Sequence, residues 1–117
     1  AALSRVARLA DGWLSVGLSV DDLAERLAVL RQACQTQGRA YEDLTLYHKL
    51  FINIGAEVAG KDGGRVPGTG RVGQIVDDFR RIRDLGYRGF IVRYIGQDGV
   101  EQQQQIARFA DEIAPKI

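Results

Sequence analysis

The stretch Ala1–Gly17, AALSRVARLADGWLSVG, decides how the rest of the chain is read. Leu3, Val6, Ala7 and Ala10 recur at the 3.6-residue period of an amphipathic helix. Asp11-Gly12 breaks that period, and glycine ends helices readily because it takes left-handed or extended backbone without a Cβ clash. Trp13-Leu14-Ser15-Val16 then reads as a short strand. A helix feeding directly into a strand is the returning half of a parallel crossover. The reading therefore expects an earlier strand ahead of Ala1.

The totals narrow the classes. A chain of 117 residues holds one domain and falls far short of the roughly 250 residues of a complete (β/α)8 barrel. A formal net charge of +1 gives no electrostatic case for nucleic acid or an anionic membrane. No apolar run approaches the roughly 18 residues that span a bilayer, and the N-terminus lacks the pattern of a signal peptide. Cys34 is the single cysteine, so neither an intrachain disulfide nor a cysteine-based zinc site is expected. A cytoplasmic location without a metal follows as the expectation. The chain begins at Ala1 and contains no methionine, which reads as a piece of a longer chain and agrees with the missing strand.

Beyond the first strand, Ser19-Val20-Asp21-Asp22 opens a second helix, with Ser19 and Asp22 spaced as a capping box. Leu23, Leu27, Leu30 and Cys34 form its buried stripe, and Gly38 ends it. Cys34 on that stripe reads as a small core residue. Leu44–Ile54, LTLYHKLFINI, alternates as a strand in which neither face is purely polar, so both faces are expected to be covered. His48, the only histidine, lies early in this strand. It reads as a structural histidine satisfied by a neighbour, because catalytic groups in such sheets gather at the carboxyl ends.

Ala56–Gly70 is a long glycine-rich stretch of the kind that is functional or mobile inside a compact domain. Its end, Gly68-Thr69-Gly70-Arg71-Val72-Gly73, matches G-x-G-x-x-G and leads into a helix. The residues before it, GKDGGRVP, do not read as the strand a dinucleotide fingerprint needs. No acidic residue stands at Ile91, Val92 or Arg93, where the ribose partner belongs. What remains is an anion contact at a glycine-rich helix start beside Arg71. The third helix is predicted over about Val72 to Leu85, with Ile75, Val76, Phe79 and Ile82 inward. Asp77 and Asp78 face its dipole, and Asp77 and Arg81 are spaced as an i,i+4 pair.

Gly89–Ile95, GFIVRYI, reads as a strand buried on both faces. An arginine there needs a carboxylate, an anion or water, so Arg93 is either a site residue or half of an ion pair at a barrel rim. Asp98-Gly99-Val100-Glu101 caps a last helix with Ile106, Phe109, Ala110 and Ile113 inward and Gln102–Gln105 outward. The order helix, strand, helix, strand, helix, strand, helix gives an α/β fold with a parallel sheet and right-handed crossovers. Periodicity alone leaves an open sheet or a barrel segment.

Taken as an ordered set, these segments resemble the C-terminal part of luciferase-like monooxygenases, especially their deazaflavin-dependent oxidoreductase branch. AALSRVARLADGW is similar to the family's helix leading into the sixth barrel strand, and Ser19-Val20-Asp21-Asp22-Leu23 to the start of its sixth helix. Asp43-Leu44-Thr45-Leu46 resembles the entry to the seventh strand. Arg65-Val66-Pro67 through Gln74-Ile75-Val76-Asp77-Asp78 resembles the approach to the seventh helix, and Phe90-Ile91-Val92-Arg93 the eighth strand. Where the family commonly has Gly-Thr-Pro-Glu-Gln, this chain has Gly70-Arg71-Val72-Gly73-Gln74.

The resemblance implies the C-terminal segment of a TIM (β/α)8 barrel, about three parallel strands and four helices, with residues 1–117 forming one partial domain from the fifth to the eighth helix. It implies part of a flavin- or deazaflavin-dependent oxidoreductase or monooxygenase, with FMN or a deazaflavin as cofactor and a small-molecule substrate. The glycine pair that helps hold the cofactor phosphate would lie just before Ala1. Trp13, Gly68, Gly70, Arg71 and Arg93 are the expected cofactor contacts, and no catalytic residue is assigned. Exposed sheet edges invite pairing, so a homo-oligomer is expected. The alternative is a non-catalytic, self-associating α/β module without cofactor binding.

Overall fold

Four strands run parallel in the structure, a computed structural model that describes residues 2–96 and 98–117. They are β1 (Gly12–Val16), β2 (Thr45–Ile54), the two-residue β3 (Thr69–Gly70) and β4 (Gly89–Tyr94). β2 is the central strand. Gly12 to Val16 lie opposite Thr45 to Lys49 on one side, and Gly89 to Tyr94 lie opposite Tyr47 to Ile52 on the other. β3 pairs with Asn53 and Ile54 at the carboxyl end of β2. Four helices alternate with these strands: α1 (Ala2–Leu9), α2 (Val20–Thr36), α3 (Val72–Asp84) and α4 (Gly99–Arg108). The expected helical start at Ala1 lies outside the described residues.

Local chemistry sets the helix ends. Ser19 Oγ accepts the Asp22 N–H at 3.1 Å, relieving one of the free donors at the start of α2. Gly38, at φ +68°, lets the Arg39 N–H turn back to the Cys34 carbonyl at 2.9 Å. Asp98 caps α4 by accepting the Glu101 N–H at 2.8 Å. Arg71 cannot accept as a threonine would. Instead Gln74 Oε1 reaches back to the Arg71 N–H at 2.8 Å.

The core lies between the sheet and the helices. Leu46, Leu50, Ile52 and Ile54 of β2 meet Leu23, Leu27, Leu30 and Cys34 of α2 and Ile75, Val76, Phe79 and Ile82 of α3. Phe79 packs edge-on against Phe90 and Phe109, with ring centroids 4.7 and 5.7 Å apart.

The opposite face corrects an expectation. Leu14 is 48%, Tyr47 41% and Ile91 46% exposed, and Val16, Arg93 and Ile95 are exposed beside them. Neither β2 nor β4 is covered on both faces by the described residues. The reason is topological: β1, β2 and β4 are laid down in one direction by right-handed crossovers, which places the crossover helices on one face. A sheet wound only one way curls as a barrel does, with the uncovered face inward.

The last helix departs as well. Ile106 and Ala110 are exposed, while Phe109 and Ile113 pack inward. The chain widens into a π-helical turn over Phe109–Ile113, which rotates the apolar stripe away from the plain α-helical spacing.

Candidate functional site

The segment between β2 and α3 is folded rather than loose. Ala59 and Arg65 form an antiparallel bridge, and β3 adds two residues to the sheet. A strand thus lies within the G-x-G-x-x-G match rather than ahead of it. Arg65 anchors the segment: its guanidinium donates to both carboxylate oxygens of Asp78, at 2.7 and 2.8 Å, and to the Thr69 carbonyl at 2.7 Å. Asp78 also accepts the Gly68 N–H at 2.8 Å. The paired carboxylate holds the Arg65 guanidinium above its usual pKa. Asp77 and Asp78 therefore have different roles, Asp77 exposed and Asp78 buried. Arg81 makes its ion pair with Asp21 of α2, at 3.9 Å, where the sequence spacing pointed to Asp77.

Backbone conformation calls for glycine at two motif positions, and at Gly68 packing against backbone does so as well. A Cβ on Gly68 would stand 2.4 Å from the Phe51 carbonyl oxygen, and one on Gly70 would stand 2.5 Å from Gln74 Oε1. Both have positive φ, +94° and +112°. Gly73 has open space around it.

Beside this segment, at the carboxyl ends of β1 and β2, lies a cleft of about 490 Å³. Gly17 and Leu18 form one wall, Phe51 the floor, and Lys61, Arg65 and Pro67 the other wall. Its volume suits a small organic ligand, and its position is where parallel α/β sheets bind ligands.

The five expected contacts do not form one cluster. Gly68, Gly70 and Arg71 share the β3 turn, and Arg71 lines a second, shallow hollow with Gly73, Gln74 and Asp77. Arg93 stands on the open face of β4, opposite Phe51 in register, and makes no ion pair among the described residues. The rim ion pair is therefore not formed within those residues. Trp13 lies at the start of β1, half-buried against the helix-covered core, at the far end of the strand from the cleft.

His48 occupies the covered face. Its Nδ1 is 2.6 Å from Ser15 Oγ, which is also 2.8 Å from the Tyr87 hydroxyl, and its Nε2 is buried without a partner. Burial lowers its pKa to about 4, partly offset by the bond to Ser15. The ring is wholly buried, which fits a structural histidine.

Sequence reasoning missed Phe51 as the cleft floor, the Arg65–Asp78 pair, and Gln105. The Gln105 amide accepts the Ile54 N–H at 2.8 Å and donates to the Ile54 carbonyl at 3.2 Å, occupying the place of a neighbouring strand. Among the described residues no three His, Cys, Asp or Glu side chains gather as a metal site, and no helix is long and apolar enough to cross a membrane.

No family model matches the chain, and no curated protein matches it. Solved structures do. An F420-dependent secondary alcohol dehydrogenase in complex with an F420–acetone adduct superposes with a TM-score of 0.75 at 8% identity, over 97% of this chain and 45% of that one. A coenzyme F420-dependent tetrahydromethanopterin reductase from Methanopyrus kandleri gives 0.72 at 12%, over 97% and 47%. A riboflavin lyase with modified FMN and riboflavin gives 0.66 at 11%, over 97% and 39%. The chain thus spans less than half the length of these structures. It shares with the luciferase-like TIM-barrel enzymes an α/β fold of parallel strands and four helices.

Proposed function

We propose that this chain forms part of a flavin- or deazaflavin-dependent oxidoreductase of the luciferase-like kind, as the C-terminal section of its barrel. The observation that supports the reading is the superposition of 97% of the chain on an F420-dependent dehydrogenase. The cleft at the strand ends is its chemical counterpart. Phe51, Leu18, Val66 and Pro67 offer an apolar surface to a flat ring system, and Asp22, Lys61, Asp62 and Arg65 set charges of both signs around it. These residues fit one wall of such a pocket. When bound, the cofactor supplies the hydride chemistry. The chain's own part is to orient and to exclude water: Gly68 lets the β3 turn close against β2, Gly70 leaves room for the Gln74 side chain, Arg71 stands at the start of α3, and Arg93 stands on the open face.

Titration of the chain with coenzyme F420 and, separately, with FMN tests this by fluorescence. Saturable binding that weakens in Gly68→Ala is expected. Absence of binding by the folded chain to either cofactor overturns it. The exposed Leu14, Val16, Tyr47 and Ile91 favour the second reading, a self-associating module without cofactor, which a folded oligomer inert to both compounds would support.

A further inference from the structure

The hydrogen-bond ladder along one flank of β2 is broken at a single residue. Alternate residues of a strand send both backbone groups to the same neighbour. Lys49, Phe51 and Asn53 therefore all point toward the flank where β1 and β3 run. Lys49 closes the β1 ladder by accepting the Gly17 N–H at 3.3 Å, and Asn53 opens the β3 ladder by donating to the Gly68 carbonyl at 3.1 Å. Neither ladder reaches Phe51. Gly17, at φ +64°, turns the chain out of the sheet on the N–H side of Phe51, and Gly68, at φ +94°, brings it back beside the Phe51 carbonyl. That carbonyl is covered, since a Cβ on Gly68 would stand 2.4 Å from its oxygen. The N–H, on the Gly17 side, meets no backbone acceptor among the described residues. Both edges of the break are this chain's own strands, and β4 fills the other flank of β2.

The break lies in the floor of the cleft, with Gly17 and Leu18 on one side of Phe51 and Pro67 on the other. Much of the charge around the cleft is spent within the chain. Arg65 is held by Asp78, and Asp62 Oδ1 accepts the Gly64 N–H at 2.9 Å. Asp22 and Lys61 remain, with opposite signs. A backbone donor is a strong hydrogen-bonding group that calls for a partner. Set among apolar side chains and balanced charge, it suits a neutral acceptor whose carbon skeleton lies on the apolar wall. We propose that the Phe51 N–H is a main-chain recognition point for a neutral carbonyl oxygen, that of the cofactor's ring system or of an organic substrate carrying a ketone. The assignment rests on the oxidoreductase reading, which supplies a flat ring system bearing carbonyl oxygens at this cleft.

The test uses the full chain and starts without ligand. Amide hydrogen exchange should be fast at Phe51 and slow at Asn53. Equal protection at the two means that the Phe51 N–H is paired inside the fold and overturns the site. FMN, coenzyme F420 and cyclohexanone are then titrated separately, with the Phe51 amide followed by NMR. A saturable downfield shift of its proton is expected, in the FMN or F420 arm when the carbonyl belongs to the cofactor and in the cyclohexanone arm when it belongs to a substrate. An ester in place of the Leu50–Phe51 peptide, introduced with phenyllactic acid, deletes the N–H and keeps the ring. It should weaken that binding about fivefold. Its urea midpoint should stay above that of the matching ester at Ile52–Asn53, where a ladder bond is lost. Unchanged affinity in the Phe51 ester, or a midpoint as low as the other ester's, overturns the site. The arms also separate the two ideas. FMN or F420 binding with a silent Phe51 amide removes this site and leaves the oxidoreductase reading. A Phe51 shift with cyclohexanone alone supports the site and removes that reading. Silence in all three arms removes both.

Discussion

Asp78, on the inner side of α3, holds Arg65 of the preceding segment through both carboxylate oxygens, at 2.7 and 2.8 Å. The carboxylate is almost completely buried and also takes the Gly68 N–H. Removing it strands a cation and a backbone donor together. Asp78→Ala is expected to cost about 3 kcal/mol in urea unfolding and to speed hydrogen exchange at Gly68. Arg65→Met combined with Asp78→Leu should recover part of that loss, because neither charge is left alone. Additive losses in the double variant would remove the coupling.

His48 gives the fold a pH dependence. Its folded pKa of about 4 lies below its ordinary 6.5, so the unfolded chain binds the proton more readily. The contribution is fully present above the unfolded value and is lost as pH falls toward the folded one. Between about pH 7 and about pH 4.5 the loss amounts to about 2 kcal/mol. His48→Gln should flatten that part of the stability profile. An unchanged slope in the variant would place the dependence elsewhere.

The first and last glycines of the G-x-G-x-x-G match should respond oppositely to alanine. Gly68→Ala drives a Cβ against the Phe51 carbonyl at positive φ, and a loss of about 2 kcal/mol or more is expected. Gly73 lies in the first turn of α3 with nothing nearby, so Gly73→Ala should stabilise by about 0.5–1 kcal/mol. Paired denaturation curves check the contrast. Equal effects would mean that the motif acts as a unit, as a dinucleotide loop would.

Gln105 closes an otherwise open stretch of β2 by bonding both backbone groups of Ile54. Gln105→Ala should cost about 1–2 kcal/mol and raise exchange at the Ile54 amide. Gln105→Glu keeps the acceptor but sets a carboxylate against the Ile54 carbonyl, so it should rescue little at neutral pH. Unaltered Ile54 exchange in both variants would deny Gln105 this role.

Much of the fold was legible because it rests on period and punctuation. The Leu23, Leu27, Leu30, Cys34 stripe and the alternation of Leu46 to Ile54 fall where the structure has them, and Ser19, Gly38 and Asp98 mark real helix ends. The candidate site was harder to read. Arg65 and Asp78 are far apart at no regular spacing, and Gln105 looks like its three neighbours until the end of β2 is brought to it. The open face was misjudged for a related reason. A mixed apolar alternation says that a face is to be covered, not which chain covers it. Only the one-way winding of β1, β2 and β4 reveals that their own helices lie on the other side.

That uncovered face carries the last expectation. Leu14 and Ile91 flank β2 on its two sides and are about half exposed, next to strand edges with unpaired backbone groups. Apolar surface of this kind associates in water. Sedimentation velocity of the chain should therefore show concentration-dependent association. Leu14→Lys and Ile91→Lys should shift it toward monomer while changing unfolding stability by no more than about 0.5 kcal/mol, because both side chains lie outside the helix-covered core. Association that persists unchanged in both variants would mean that the chains meet through another surface. A monomer at every concentration would mean that the face tolerates water on its own.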